Sequence, residues 1–432
     1  MDNQENRGGN VAAIATMFAL FFMIAFVTNF ASPMGVIAKN QFNASNALSQ
    51  LGNFANFFAY LFMGIPGGLI LKRKGYKFTA LTAVAVGFTG LAIQLASGYA
   101  ASFAIYVVGA FVAGFSMCML NLVTNPLLNT LGGGGNKGNQ LVQFGCSLNS
   151  VGATLSPMVL GWLIGEITKD TSFGDARPAL LIAMGIFAVA FLIVAFSRIP
   201  EPHMETAEEK AARLNGQTSV VKDIVETLKF RHFTLGALAI FFYIVIEVGV
   251  PSMGMLYMTD CTKEPLTGAI LSKGPGYVGG AIAGVVCGAY WFCMMIGRLL
   301  GGIVGGKFSS RQQASFLAAC GIVLLLAAMF VPVKMITLFG YSFPLSMAFM
   351  VAVGLCTSVM WGGIFNMAAE GLGKYVPMGS GIFMAMVFGG VLIPVQGLVA
   401  DKIGILQSYW FSIALLAYVL FYALVGSRVK KA

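Results

Sequence analysis

The chain has 432 residues, of which 58% are hydrophobic and only 10% are charged, and its formal net charge is +10. Soluble domains are usually about 45–50% apolar and about 25% charged, so this composition excludes an ordinary soluble enzyme, a disordered chain and a secreted disulfide scaffold. It favours a protein that is solvated by the lipid bilayer, and we attribute the basic excess to membrane topology and not to nucleic-acid binding.

Twelve apolar stretches follow one another along the chain. A helix that crosses a bilayer needs about 20 apolar residues, and each stretch reaches that length. The first stretch has no obvious small-residue cleavage site, so we expect it to be the first span and not a signal peptide. The predicted spans are residues 11–37, 47–71, 78–98, 101–129, 141–166, 177–198, 233–258, 277–304, 314–333, 342–369, 378–400 and 408–427.

The loops between the predicted spans differ in charge on the two sides of the membrane. If the N-terminus is cytoplasmic, most of the 26 Lys and Arg residues fall in cytoplasmic segments, as the positive-inside rule requires. We therefore expect a multi-pass protein of the inner (plasma) membrane with both termini in the cytoplasm. The longest polar segment, residues 201–231, has charged and apolar residues at helical spacing, which predicts a linker with a helix on the membrane surface.

Similar motifs recur at corresponding places in the two parts of the chain. The segment NPLLNTLG begins at Asn125 and ends the fourth span, and NMAAEGLG begins at Asn366 and ends the tenth. The repeats predict two parallel six-helix halves, a plan in which transporters place the substrate site between the halves near the middle of the membrane. The predicted fold is therefore an all-α membrane protein of twelve transmembrane helices in two pseudo-symmetric halves, with an N-terminal bundle over residues 1–198, a cytoplasmic linker over 199–232 and a C-terminal bundle over 233–432.

Motifs of enzymes are absent from the sequence. It contains no HExxH motif, and it has no GxSxG motif in the setting of a hydrolase. The glycine run 132–135 lacks the lysine and Ser/Thr ending of a P-loop. The seven Cys form no CxxC pair and two His are too few for a metal site, so we expect no catalytic residues, no metal and no cofactor.

Several segments resemble the major facilitator superfamily and, within it, the fucose/glucose/galactose permease family. These segments are GGLILKRKGYK from Gly67, the NP and LG pairs after Asn125, LNSVG from Leu148, FYIVIEVGV ending at Val250, and IFNMAAEGLGKYVPMGSG from Ile364. The resemblance extends over nearly the whole chain. It implies the major facilitator fold and import of a sugar by symport with a cation, either a proton or sodium.

The chain also departs from the family pattern. The proton-linked members have membrane carboxylates on helices one and four, and the matching positions here hold Ser32 and Asn121. A family Gln on helix five corresponds to Cys146, while the Asn three residues later is kept as Asn149. These departures argue against proton symport by that route and against fucose as the substrate.

Amide side chains mark the spans that we expect to line a solute pathway. Asn121, Asn125 and Asn129 lie four residues apart, which places them on one helical face. An amide both donates and accepts hydrogen bonds, which suits sugar hydroxyls, although the same groups also join helices to one another. The amide candidates for substrate binding are Asn29, Asn53, Asn121, Asn125, Gln143, Asn149 and Asn366.

An acidic residue lies in the middle of the seventh predicted span. Glu247 has no basic neighbour on its own helix, and a bare carboxylate there is expensive. It is protonated, paired with another helix or used in coupling, and we take it as the candidate for substrate binding and ion coupling. Tyr243, one turn earlier, is its candidate partner and a further candidate for substrate binding.

Two further residues bear on the solute. Trp361, followed by two glycines, is the candidate for stacking against the apolar face of a sugar ring. A carboxylated ligand would need a deep arginine, and the sequence places the nearest one, Arg298, in a cytoplasmic loop motif. This placement disfavours acidic sugars.

The sequence favours a secondary active transporter that imports a monosaccharide or sugar derivative by alternating access. A permease for nucleosides or other small polar metabolites is an alternative, and so is a drug or metabolite exporter of the same fold. An exporter of drugs would favour an apolar pocket, whereas the amide-rich spans favour a hydroxylated ligand. We expect a monomer whose partners are this solute, a coupling cation and the bilayer.

Overall fold

The computed structural model describes residues 2–28, 34, 51–164, 173–214, 219–263 and 270–429. Short 3₁₀ segments lie at Phe173–Ala176, Gly373–Tyr375 and Met386–Leu392, and a π turn lies at Tyr422–Gly426. The α-helices are α1 Asp2–Thr28, α2 Leu51–Ala100, α3 Phe103–Leu131, α4 Gly135–Ile164, α5 Arg177–Phe196, α6 Ala207–Leu214, α7 Val220–Lys229, α8 Arg231–Thr259, α9 Gly280–Val304, α10 Ser310–Phe330, α11 Leu345–Thr357, α12 Met360–Ala369, α13 Val376–Ala385, α14 Ile393–Ile403 and α15 Tyr409–Phe421.

The helices account for the twelve predicted spans. Within the described residues, ten helical stretches are long and apolar enough to cross a membrane. One of them, α2, consists of two spans that meet at Gly75, where the backbone leaves the helical region with φ 84°. The helix α4 is also long enough to cross, but polar side chains such as Asn139 and Gln143 make it less apolar. The prediction of an all-α membrane protein with twelve spans is confirmed.

Two short hairpins were not predicted from the sequence. The strands β1 Cys261–Lys263 and β2 Ile270–Lys273 pair antiparallel, as do β3 Met335–Leu338 and β4 Tyr341–Pro344. The second hairpin turns at Phe339 and Gly340, which both have positive φ. Its pairing satisfies the backbone hydrogen-bonding groups of the short connection between α10 and α11. The hydroxyls of Thr337 and Ser342 also meet across the strands at 2.7 Å.

The linker binds back onto the ends of the spans. The Glu201 carboxylate accepts hydrogen bonds from the backbone N–H groups of Tyr76 and Lys77, and Lys72 pairs with Asp223 at 3.3 Å. The ring of His232 meets the backbone oxygen of Glu370 at 2.8 Å. Residues 72–77, 197–214, 219–231 and 370–375 therefore lie at one face of the helix bundle, which we call the linker side.

Helices α1–α5, the first half, meet helices α8–α15, the second half, near the linker side. There α2 crosses α13 at a distance that leaves no room for side chains, because a Cβ on Gly64 would lie 2.6 Å from the backbone oxygen of Gly381. The ring of Phe144 in α4 packs on Gly302 in α9. The halves are thus closed against each other on the linker side. The exact bounds of the two halves and the linker stay predictions.

Replacing Gly75 by alanine is expected to destabilise the protein more than replacing Gly133. Both glycines have φ near +85°, and a side chain in such a backbone conformation costs about 1–3 kcal/mol. At Gly75 the added methyl group would also collide with the Glu201 carboxylate, whereas nothing lies within 4 Å at Gly133. Thermal unfolding of the two variants in detergent measures the difference. Equal melting temperatures would show that the collision with the Glu201 carboxylate adds no destabilisation.

Candidate substrate-binding site

A chain of hydrogen bonds between side chains crosses from one half to the other. The indole Nε1–H of Trp361 in α12 donates to Oδ1 of Asn125 in α3 at 3.0 Å. The Asn125 amide donates to the side-chain and backbone oxygens of Asn121 at 3.3 and 3.0 Å. The Asn121 amide donates to the hydroxyl of Tyr60 in α2 at 3.2 Å. We call these four residues the polar chain.

The polar chain lies in a protected environment. Asn125 is fully buried and Asn121 is 8% exposed, so a polar group there needs a partner or a ligand. The Trp361 ring lies between the rings of Tyr243 and Phe383, with centroids 6.4 and 6.2 Å away. The sequence predicted Asn121, Asn125, Tyr243 and Trp361 separately, and the structure brings them together.

Two further amide candidates lie on α4, one at the interface between the halves and one within the first half. Gln143 donates to the backbone oxygen of Val359 in the second half at 3.0 Å. Asn149 donates instead to the backbone oxygen of Phe21 in α1 at 3.1 Å, within the first half. The two side chains of α4 thus take different directions, which agrees with their six-residue separation on a helix.

Asn366 lies closer to the linker side than the polar chain. Its side-chain oxygen accepts from the amide of Asn129 at 3.0 Å, and its own amide donates to the hydroxyl of Ser310 at 3.0 Å. Asn129 and Asn366 belong to the two repeated motifs, so this bond joins equivalent ends of the two halves. The structure supports a closing contact here more directly than a substrate contact.

The last two amide candidates are Asn53 and Asn29. Asn53 is a half-buried residue in the first turns of α2. Asn29 lies outside the described residues, and so does Ser32, which replaces a family carboxylate.

An ion pair joins the seventh and eighth spans inside the bundle. Nη2 of Arg298 lies 3.0 Å from Oε1 of Glu247, and the two side chains are only 6% and 12% exposed. One of the alternatives for Glu247, pairing with another helix, is therefore confirmed. The placement of Arg298 in a cytoplasmic loop is wrong, because Arg298 lies within α9 and is buried against α4, α8 and the turn between α11 and α12.

The surroundings of the ion pair are also polar. The Tyr243 hydroxyl donates to the backbone oxygen of Thr357 at 3.3 Å, and the Tyr290 hydroxyl meets the Thr357 hydroxyl at 3.0 Å. This arrangement places the ion pair next to the aromatic residues that flank the polar chain. The site therefore combines amides, an indole ring and a buried carboxylate.

Two buried amide oxygens lie near the closed interface, one on Gln143, a sequence candidate, and one on Asn139, which sequence reasoning missed. Oδ1 of Asn139 and Oε1 of Gln143 have no hydrogen-bond partner in the described part of the chain. Both side chains lie against Gly362, where a Cβ would be 2.8 Å from Nε2 of Gln143 and 3.2 Å from Oδ1 of Asn139. Such buried acceptors take a hydrogen bond from a water or a hydroxyl group. The spacing of Asn139 and Gln143, one turn apart on α4, was the available signal.

No metal centre emerges from the part of the chain that the structure describes. Among those residues, no group of three or more His, Cys, Asp or Glu side chains lies close enough to hold a metal ion. The free thiols are those of Cys118, Cys146, Cys287, Cys293, Cys320 and Cys356.

Comparison with known proteins places this architecture in a family. The sequence model of the Major Facilitator Superfamily matches residues 15–388. The chain is 27% identical over 429 residues to a glucose/galactose transporter of Brucella abortus, covering 99% of this chain and 96% of that protein. It is 22% identical over 417 residues to the L-fucose-proton symporter of Escherichia coli, covering 91% and 88% of the two chains.

A solved structure shares the fold. The crystal structure of the transporter FucP in the outward conformation matches 98% of this chain and 100% of that chain, with a TM-score of 0.79 and 18% sequence identity. The twelve spans, the inter-half site and the sequence match lead to one conclusion. The chain belongs to the Major Facilitator Superfamily and is a membrane transporter, not an enzyme.

Proposed function

We propose that this protein is a secondary active transporter that imports a neutral monosaccharide by alternating access, coupled to a cation. The observation that carries the proposal is the polar chain, which runs from Trp361 through Asn125 and Asn121 to Tyr60. It joins the two halves above their closed linker side. A solute that replaces bonds in this chain contacts both halves, as alternating access requires.

The chemistry of these side chains favours a sugar. Amides and phenol hydroxyls both donate and accept hydrogen bonds, which matches the hydroxyl groups of a pyranose. The indole ring of Trp361 offers a flat apolar surface for the sugar ring. Arg298 is already paired with Glu247, so an acidic sugar finds no available cation at this arginine. The polar lining also disfavours a drug exporter.

The named relatives indicate which sugar to test first. The Brucella relative is called a glucose/galactose transporter, and its similarity extends over nearly the whole of both chains. Asn121 and Cys146 replace residues of the fucose-transporting members of the family. We therefore propose a hexose of the glucose or galactose type, in preference to fucose or a nucleoside.

The basic loops support an orientation. Lys72, Arg73, Lys74 and Lys77 cluster on the linker side, so we propose that this side faces the cytoplasm of a cell with an inner membrane. Both termini are then cytoplasmic, and the closure described above is closure on the cytoplasmic side. We also propose that the protein works as a monomer, with bundles over residues 1–198 and 233–432 and a linker over 199–232.

Glu247 is our proposed site of ion coupling. It is a carboxylate at membrane depth, beside the aromatic residues of the substrate site, and it is linked to the first half through Arg298, which bonds Cys146 and Ser150 in α4. Carboxylates in such positions mark ion pathways in transporters. We propose a proton as the coupling ion because the Escherichia coli relative is named a proton symporter. Sodium is the alternative.

The proposal is tested by counterflow in proteoliposomes. Vesicles preloaded with unlabelled glucose, galactose, fucose or uridine are diluted into the same labelled solute, and we expect transient accumulation for glucose or galactose. Trp361→Ala removes a ring and a hydrogen bond, and it is expected to raise the half-saturating concentration at least about tenfold. Trp410→Ala is the matched control, since Trp410 lies on the outside of the helix bundle and is 48% exposed. Counterflow of uridine alone would reject the sugar assignment.

A further inference from the structure

Arg298 is a buried arginine that binds both halves of the protein at once. Only 5% of the residue is exposed. Nη1 donates to the backbone oxygen of Cys146 at 3.1 Å and to the hydroxyl of Ser150 at 2.6 Å. Nη2 donates to Glu247 at 3.0 Å, and Nε donates to the backbone oxygen of Ser358 at 3.3 Å. The guanidinium group therefore joins its own helix to α4, to α8 and to the turn between α11 and α12.

The four bonds fall into two classes. Glu247 and Ser358 belong to the second half, as does Arg298 itself, whereas Cys146 and Ser150 belong to α4 in the first half. The backbone of α9 is fixed to the second half, because Gly297 packs directly on Ser358 and leaves no room for a Cβ. Separation of the halves on the linker side thus breaks the two bonds to α4 and keeps the other two.

The charge of Glu247 decides what remains after this separation. With an ionised carboxylate, the guanidinium keeps a counter-charge within its own half. With a neutral Glu247, it would keep only neutral acceptors, and a buried charge without a counter-charge is strongly unfavourable. The other titratable groups that face the pair are Tyr243, Tyr290 and Cys146, which are ordinarily neutral and supply no substitute charge.

We propose that Arg298 is a positioning residue that makes opening of the linker side depend on the charge of Glu247. When Glu247 is neutral and no solute is bound, Arg298 stays bound to α4 and holds the halves together. When Glu247 is ionised, Arg298 leaves α4 together with its counter-ion. An empty carrier that has taken up a proton is thereby kept from opening, which prevents ion flux without solute. This inference rests on the proposed function only for the assignment of a charge change to Glu247.

The distance between the halves tests this proposal without any sugar. Spin labels are introduced as non-canonical amino acids at positions 137 and 374, which are exposed on the linker side of the first and second halves. Pulsed electron paramagnetic resonance then gives the populations of closed and open forms. We expect Glu247→Gln to raise the closed-to-open ratio at least about tenfold over the wild type, equivalent to about 1.4 kcal/mol. Adding Arg298→Gln to Glu247→Gln should reverse the shift.

Two further variants keep the result interpretable. Ser150→Ala removes one bond to α4 without touching the ion pair, and it is expected to shift the populations several-fold toward the open form. Arg311→Gln is the matched control, because Arg311 bonds Ser427 within the same half at 3.0 Å and should leave the populations unchanged. Unchanged populations in Glu247→Gln, or a persistent shift in the double variant, would overturn the proposal. Normal shifts together with failed hexose counterflow would reject only the proposed substrate.

Discussion

Replacing Gly64 by alanine is expected to reduce counterflow at least about tenfold while the protein still folds. In the closed state a Cβ at this position would lie 2.5 Å from the backbone nitrogen of Ala385 and 2.6 Å from the backbone oxygen of Gly381. These are backbone atoms, which cannot turn aside as a flexible side chain can. Overpacking of this kind costs about 1–3 kcal/mol, which corresponds to roughly a fivefold to 150-fold change in population.

The expected defect is specific to one conformation. The added methyl group disfavours the form in which α2 and α13 touch, and it leaves each half free to fold. Gly284→Ala is the matched control, because Gly284 also lies in a membrane helix and nothing lies within 4 Å of an added Cβ. Melting temperatures in detergent check the fold of both variants. Wild-type counterflow in Gly64→Ala would show that transport does not require this crossing to close.

Glu247→Gln is expected to lower gradient-driven hexose accumulation at least about tenfold while counterflow stays within about threefold of the wild type. Driven uptake requires the empty carrier to return after it has released its proton. A glutamine cannot release a proton, so the variant resembles the protonated carrier at every stage. Exchange of bound sugar needs no such return, because the loaded carrier moves in both directions.

The measurement compares uptake under an imposed proton gradient with counterflow at equal pH on both sides. Glu370→Gln is the control, since Glu370 lies on the linker side and meets His232 through its backbone oxygen. Equal loss of driven uptake and counterflow in Glu247→Gln would show that Glu247 is not the site of ion coupling. If accumulation in the wild type follows a sodium gradient and not a proton gradient, the coupling ion is sodium.

The spans could be predicted because length and apolar composition directly limit what crosses a bilayer. The hairpin at residues 335–344 was missed, since its alternating residues are few and lie between two long apolar runs. Likewise, the sequence could not place Arg298. In the sequence, an arginine near the end of an apolar stretch is interpreted as a loop residue. Whether Arg298 is buried depends on how α9 packs against α4 and α8.

The candidate site was predicted in its chemistry more than in its geometry. Helical spacing correctly placed Asn121 and Asn125 on one face, and the structure links them directly. The same spacing included Asn129, which instead bonds Asn366 across the interface. The partners of such amides come from distant parts of the chain, so a periodic pattern on one helix cannot identify them.

The β3–β4 hairpin has a practical consequence for imaging. A 45.6 kDa protein of membrane helices offers few features for particle alignment in electron microscopy. This hairpin lies on the face opposite the linker, and Phe339 at its tip is 91% exposed. A rigid epitope grafted between Phe339 and Gly340 would let an antibody fragment bind in a fixed orientation. Because the graft touches neither the polar chain nor the crossing at Gly64, such a fragment could reveal both ends of the transport cycle.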